Sequence, residues 1–109
     1  MNGDGGISCA LCGRSGVLLT RHHLIPRARH NKARTQRLFA RAEMRQRLAW
    51  ICRPCHDHVH ALFTEKTLGA ELNTLEKLGF HPEVARFTAW IRTKPAGFKA
   101  SSKDAQRRR

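Results

Sequence analysis

A chain of 109 residues buries too little surface to support two independent cores, so a single domain is expected. Hydrophobic residues make up 40% of it but aromatic ones only 6%, with no tyrosine, so the core is modest and calls for a covalent or metal staple, which four cysteines can supply. The 21 Lys and Arg against 8 Asp and Glu give a formal charge of +13, a field that gathers polyanions and makes nucleic acid the default partner, the alternative being a solubilising charge with no specific partner.

Met1 to Ser8 carries three glycines and little to bury, and reads as a flexible lead-in. It has neither the basic start nor the apolar run of a signal peptide, and no stretch of the chain approaches the roughly 20 apolar residues of a membrane helix. A cytoplasmic location follows as the expectation, and in a reducing compartment paired cysteines read as metal ligands or redox centres. Val17 to Thr20 and Leu48 to Ile51 are short aliphatic runs able to pair as antiparallel strands across a long connection. That connection, Arg27 to Arg47, is dense in Arg and Lys and has only a ragged apolar face for a helix starting near Thr35. After Pro54, Val59, Leu62 and Phe63 recur at helical spacing, giving a helix from about His56 to Phe63.

Glu65 to Leu78 places Leu68, Leu72, Leu75 and Leu78 on one stripe and stops at Gly79. A segment opening at Pro82 follows with Val84, Phe87, Trp90 and Ile91, so the two read as an antiparallel helical hairpin with its apolar stripes in the core. The expected organisation is thus 1–8 flexible, 9–94 one α+β domain divided into a core over 9–63 and the hairpin over 64–94, and 95–109 a disordered basic tail.

Two Cys-x-x-Cys turns, Cys9 with Cys12 and Cys52 with Cys55, each aim two sulfurs at one point. A redox pair or disulfides are the alternatives, but neither accounts for two matched pairs, whereas Zn²⁺ takes four thiolates tetrahedrally. Such a site has no open position and is structural.

Five of the seven histidines stand beside these turns. His56 and His60, four apart on a helix, project on one face and suit joint coordination of an ion, while His58 points elsewhere. His22 and His23, neighbours in a strand, face opposite ways, so one can bind metal while the other abstracts a proton. That division fits phosphodiester hydrolysis.

Cys9-x-x-Cys12, then His22-His23-Leu24-Ile25-Pro26, then Cys52-x-x-Cys55-His56-x-x-x-His60 resembles the HNH endonucleases, whose ββα-metal fold the resemblance implies over Cys9 to Phe63. It implies that His22, His56 and His60 hold a catalytic divalent ion (Zn²⁺, Ni²⁺, Mn²⁺ or Mg²⁺) and that His23 is the general base acting on DNA, with Arg21 and Arg27 placed to neutralise charge at the phosphate. The segment after Phe63 resembles the C-terminal part of small stand-alone bacterial and phage members. The family's asparagine, which braces the loop behind the general base, is replaced here by Arg47, so either the brace comes from another residue, for instance from the Arg27 to Arg47 connection, or the activity is weaker. His58 is left as a surface histidine or phosphate contact. The alternative function is a noncatalytic zinc-stabilised module that binds nucleic acid, and the sequence fixes neither monomer nor homodimer, nor nicking versus double-strand cleavage.

Overall fold

The computed structural model describes residues 8–98. It is mixed α+β: strand β1 (Leu19–His23), a 3-10 turn (Arg27–Arg29), helices α1 (Ala33–Leu38) and α2 (Arg41–Gln46), strand β2 (Leu48–Cys52), and helices α3 (Arg53–Leu62), α4 (Glu65–Glu71), α5 (Leu75–Phe80) and α6 (Pro82–Ile91). The two strands pair antiparallel, with Leu19 opposite Cys52 and His23 opposite Leu48. Among the described residues no helix is long and apolar enough to cross a membrane.

The pairing expected of the two strands is present, displaced along the first. Gly16, at φ +69°, ends the cysteine turn in a conformation that side chains avoid, and Leu18 is 84% exposed, so the strand starts only at Leu19 and carries both histidines. The following helix starts three residues before the expected His56. Cys52 is its N-cap and Pro54 lies in its first turn, where a missing N–H costs nothing. Cys55 is therefore already helical, and strand end, turn and helix start form one continuous element around the sulfurs.

Two expected helical segments differ from what forms. In the connection, one helix from near Thr35 is replaced by two six-residue helices, because Phe39 and Ala40 are extended and neither helix has a capping side chain. Met44 is the buried side chain of the pair, and Phe39 lies 4.8 Å beneath the Arg47 guanidinium. The stripe from Glu65 to Leu78 is likewise two helices. Asn73 turns its amide back onto the Gly69 carbonyl at 2.9 Å, and Thr74 accepts from the Lys77 N–H at 3.1 Å, so Asn-Thr ends one helix and caps the next. Only α5 forms the hairpin with α6; α4 packs on the 3-10 turn, where a Cβ on buried Gly69 would meet Arg29 Cγ at 3.4 Å and Pro26 Cδ at 3.5 Å.

A continuous core runs from the four cysteines through Ile51 and Val59 to Leu68, Leu78, Phe87 and Ile91. The expectation of a disordered segment from 95 onward meets structure over its first residues: the chain turns at Pro95, the Phe98 N–H bonds back to its carbonyl at 3.0 Å, and the Phe98 ring meets Trp90 edge-on. The rest of that segment, 99–109, and the lead-in 1–7 lie outside the described residues.

Candidate metal centres

Strand end and helix start bring Cys52 and Cys55 against the N-terminal turn that carries Cys9 and Cys12, so all four buried sulfurs lie within 4.8 Å of one another. Cys12 Sγ and Cys52 Sγ are 3.9 Å apart, and tetrahedral Zn–S bonds of about 2.3 Å require about 3.8 Å between sulfurs. Two backbone N–H groups, of Cys12 and Cys52, donate to Cys9 Sγ at 3.3 Å, which stabilises sulfur as thiolate. The four cannot ionise independently: bonds from Cys52, Cys55 and Cys9 pull the Cys12 thiol far below its ordinary range, while the bonds to Cys12, Cys52 and Cys9 hold the Cys55 thiol far above it. A dication resolves this by replacing the protons, and the closed four-sulfur set fits structural zinc.

The second group is made of imidazoles. Strand β1 directs His22 inward until it is 1% exposed, and α3 presents His56 and His60 to it on one face. The His22 ring centroid is 5.3 Å from that of His56 and 5.4 Å from that of His60, the latter two being 5.0 Å apart. One nitrogen from each lies within 4.8 Å of the others. Nitrogens bound to one ion at about 2.1 Å stand at most about 4.2 Å apart, so small ring rotations complete a shared sphere. Among the described residues neither His22 ring nitrogen has a hydrogen-bond partner. Burial, reinforced by His56 and His60, pushes the His22 imidazole down to about 3, and burial followed by the charges of His60 and Arg53 takes His56 to about 4. Both rings are therefore neutral near pH 7, with lone pairs free for an ion.

His23, on the opposite side of β1, is half-buried. Its pKa is lowered by burial first and by Arg21, Arg27 and His30 next, so it too is a neutral base near pH 7. It lines a cleft of about 270 Å³ with Arg21, Arg27, His56, His60 and Glu65. The expected set of His22, His23, His56, His60, Arg21 and Arg27 is thus gathered about one strand and one helix.

His58 is a correction. It is 1% exposed and stacks on Phe87 at 4.0 Å with the planes 9° apart, because α6 closes over that face of α3; it is neither at the surface nor a phosphate contact. Arg47, standing where the resemblance places a bracing asparagine, points away from the histidines to the Asn73 carbonyl at 2.9 Å and the Glu43 carboxylate at 2.7 Å.

Three further residues belong to the centres and carry no sequence signal of their own. The Thr20 hydroxyl donates to the Ile51 carbonyl at 2.8 Å and so accepts from His56 Nδ1–H at 2.7 Å, which leaves the free lone pair of His56 on Nε2. Arg14 is buried, donates to Cys52 Sγ at 3.4 Å and to the Pro95 carbonyl at 2.8 Å, and places a positive charge beside a cluster that is anionic when metallated. The His30 ring donates from Nε2 to the Ile25 carbonyl at 2.7 Å and ties down the turn that follows His23.

Compared with known proteins, the chain is 41% identical over 87 residues to the Bacillus subtilis (strain 168) protein YisB, described as uncharacterized, a match spanning 80% of this chain and 75% of that one. The chain belongs to the YisB family. No protein-family profile matches it, and no solved structure does. The YisB relative is described without an activity, so function has to be argued from the two centres.

Proposed function

We propose that this chain is a metal-dependent endonuclease of the HNH type that hydrolyses DNA phosphodiester bonds one strand at a time, with β1, β2 and α3 as its ββα-metal unit. The observation that carries the reading is the convergence of His22, His56 and His60 within ion-sharing distance beside His23, which opens on the same cleft. His22, His56 and His60 would hold a divalent ion there, which would polarise a phosphoryl oxygen and steady the leaving alkoxide.

The residues divide the remaining work. Neutral His23 accepts the proton of a water as its oxygen attacks phosphorus, the P–O bond to the leaving group breaks, the leaving alkoxide takes a proton from solvent, and the imidazolium returns its own to solvent. Arg21 and Arg27, exposed at the rim of the cleft, hold the phosphate and offset its growing charge. Thr20 fixes the His56 tautomer and His30 the turn behind His23.

A noncatalytic zinc-stabilised module uses the thiolate centre and the arginines equally well. It leaves the two nitrogens of buried His22 unsatisfied, at a cost of about 1–3 kcal/mol for an unpaired buried polar group, with nothing gained. The test is incubation of wild type and His23→Ala with supercoiled plasmid in Mg²⁺, Mn²⁺, Ni²⁺ and Zn²⁺. Wild type should produce open circles and His23→Ala none, with DNA affinity held within about two-fold. Cleavage by His23→Ala removes that residue as base, and no cleavage by wild type in any ion overturns the nuclease reading.

A further inference from the structure

The positive charge is not spread evenly. Residues 27–47 hold eight Lys and Arg against one acid, Glu43, and that carboxylate is taken by Arg47 at 2.7 Å. Residues 65–91 hold four acids against three Lys and Arg and are close to neutral. Arg21, Arg27, Arg41 and Arg45 are all exposed, and among the described residues none has a side-chain hydrogen bond or ion pair.

The fold lines these guanidinium groups up. Helix α2 buries Met44 and carries Arg41 and Arg45, four apart and so about 6 Å along the axis, exposed together on the flank beside it. Arg45 and His30 are shared by two adjoining hollows. One, of about 170 Å³, also has Arg41 on its wall; the other, of about 310 Å³, has Arg21, Arg27 and His23. Together they form one trough running from α2 to the His23 ring. The cleft that holds His56, His60 and the carboxylate of Glu65 shares His23, Arg21 and Arg27 with this trough, whereas Arg41 and Arg45 line the trough alone.

Guanidinium groups crowded without counterions repel one another, and a polyanion whose charges repeat along a line relieves them all at once. Arginine forks also match phosphate oxygens in pairs, which a lysine cannot do. We propose that this trough is a phosphate track for DNA, in which Arg41 and Arg45 hold backbone phosphates on one side of the position occupied by His23. The destination of the strand rests on the endonuclease reading; the binding itself does not.

The test is fluorescence anisotropy with labelled duplex DNA of two unrelated sequences across a salt series, in a His23→Ala background with the thiolate centre loaded with zinc. Each phosphate contact contributes about 0.9 to the slope of log affinity against log salt, so Arg41→Ala/Arg45→Ala should flatten it by about 1.8 and remove about a ten-fold share of the loss between 50 and 200 mM salt. Arg41→Lys/Arg45→Lys should keep most of the slope, and Lys66→Ala/Lys77→Ala, on the near-neutral side, should leave it unchanged. Both arginines are exposed, so the thermal melt of the double variant should match its parent. An unchanged slope in the alanine variant, an equal drop in the Lys66/Lys77 variant, or a drop confined to one sequence overturns the track. A flattened slope with no plasmid cleavage by wild type upholds the track and refutes the nuclease, while cleavage with an unchanged slope does the reverse.

Discussion

Thr20 decides which nitrogen of His56 meets the other two imidazoles, because its hydroxyl donates to the Ile51 carbonyl and has only a lone pair to offer His56 Nδ1. Outer partners of this kind typically change metal affinity by 10–100-fold. Thr20→Val should therefore weaken ion binding at the imidazole group by at least about ten-fold while leaving zinc at the thiolates untouched, as read by calorimetric titration. His22 gives a pH dependence. Its folded-state value is about 3 against an ordinary 6.5, so below the ordinary value the unfolded chain binds a proton that the folded chain refuses. Without an ion at the imidazoles, stability should be full above about pH 6.5 and fall as pH drops toward 3, and His22→Gln should flatten that part of the curve in urea titrations. At this scale the cysteine and histidine pairs were legible because their spacing is local. Thr20, Arg14 and Arg92 were not: their partners lie 36, 38 and 80 residues away, and one threonine or arginine among many carries no mark of a distant contact.

Among elements, α3 is the hinge of the arrangement, since it presents Cys55 to the sulfurs, His56 and His60 to the imidazole group and His58 and Val59 to the core. The helix itself was readable from its apolar spacing, but the burial of His58 was not, because the Phe87 ring that covers it comes from α6. Phe87 is 1% exposed, so Phe87→Ala should cost about 3–5 kcal/mol in urea unfolding and loosen α6 from α3. A loss well under 1 kcal/mol would show that α6 does not brace the site helix. The division of the leucine stripe into α4 and α5 was hidden for a different reason. Asn73 and Thr74 continue the apolar period around them, and only their side-chain bonds to Gly69 and Lys77 turn the period into a stop and a new start. The connection between the strands resisted reading because Met44 alone anchors its second helix, leaving charge with no apolar pattern.

For the molecule as a whole, the four-sulfur cluster ties the N-terminal turn to the strand–helix junction, while Arg14 and Arg92 clip the end of α6 and the turn beyond it to the same cluster through Cys52 Sγ, the Pro95 carbonyl and the Cys12 carbonyl. Removing the staple from so small a core should unfold it. Stripping zinc with a strong chelator is expected to abolish the cooperative thermal melt, and an unaltered melt after verified metal loss would contradict a structural role. The modest core and the need for a staple were legible from composition; the gathering of Arg41 and Arg45 into one trough with His23 was not, since it depends on which segment folds beside that histidine.

The thiolate and imidazole centres should behave as separate ion sites of different kinds. The direct measurement is metal stoichiometry and X-ray absorption on wild type and His56→Ala loaded with Zn²⁺. Wild type should hold two ions per chain, one surrounded by sulfur alone and one by nitrogen and oxygen, and His56→Ala should retain only the first. One all-sulfur ion in both proteins would contradict the account, leaving a zinc-stapled basic fold without a second metal centre.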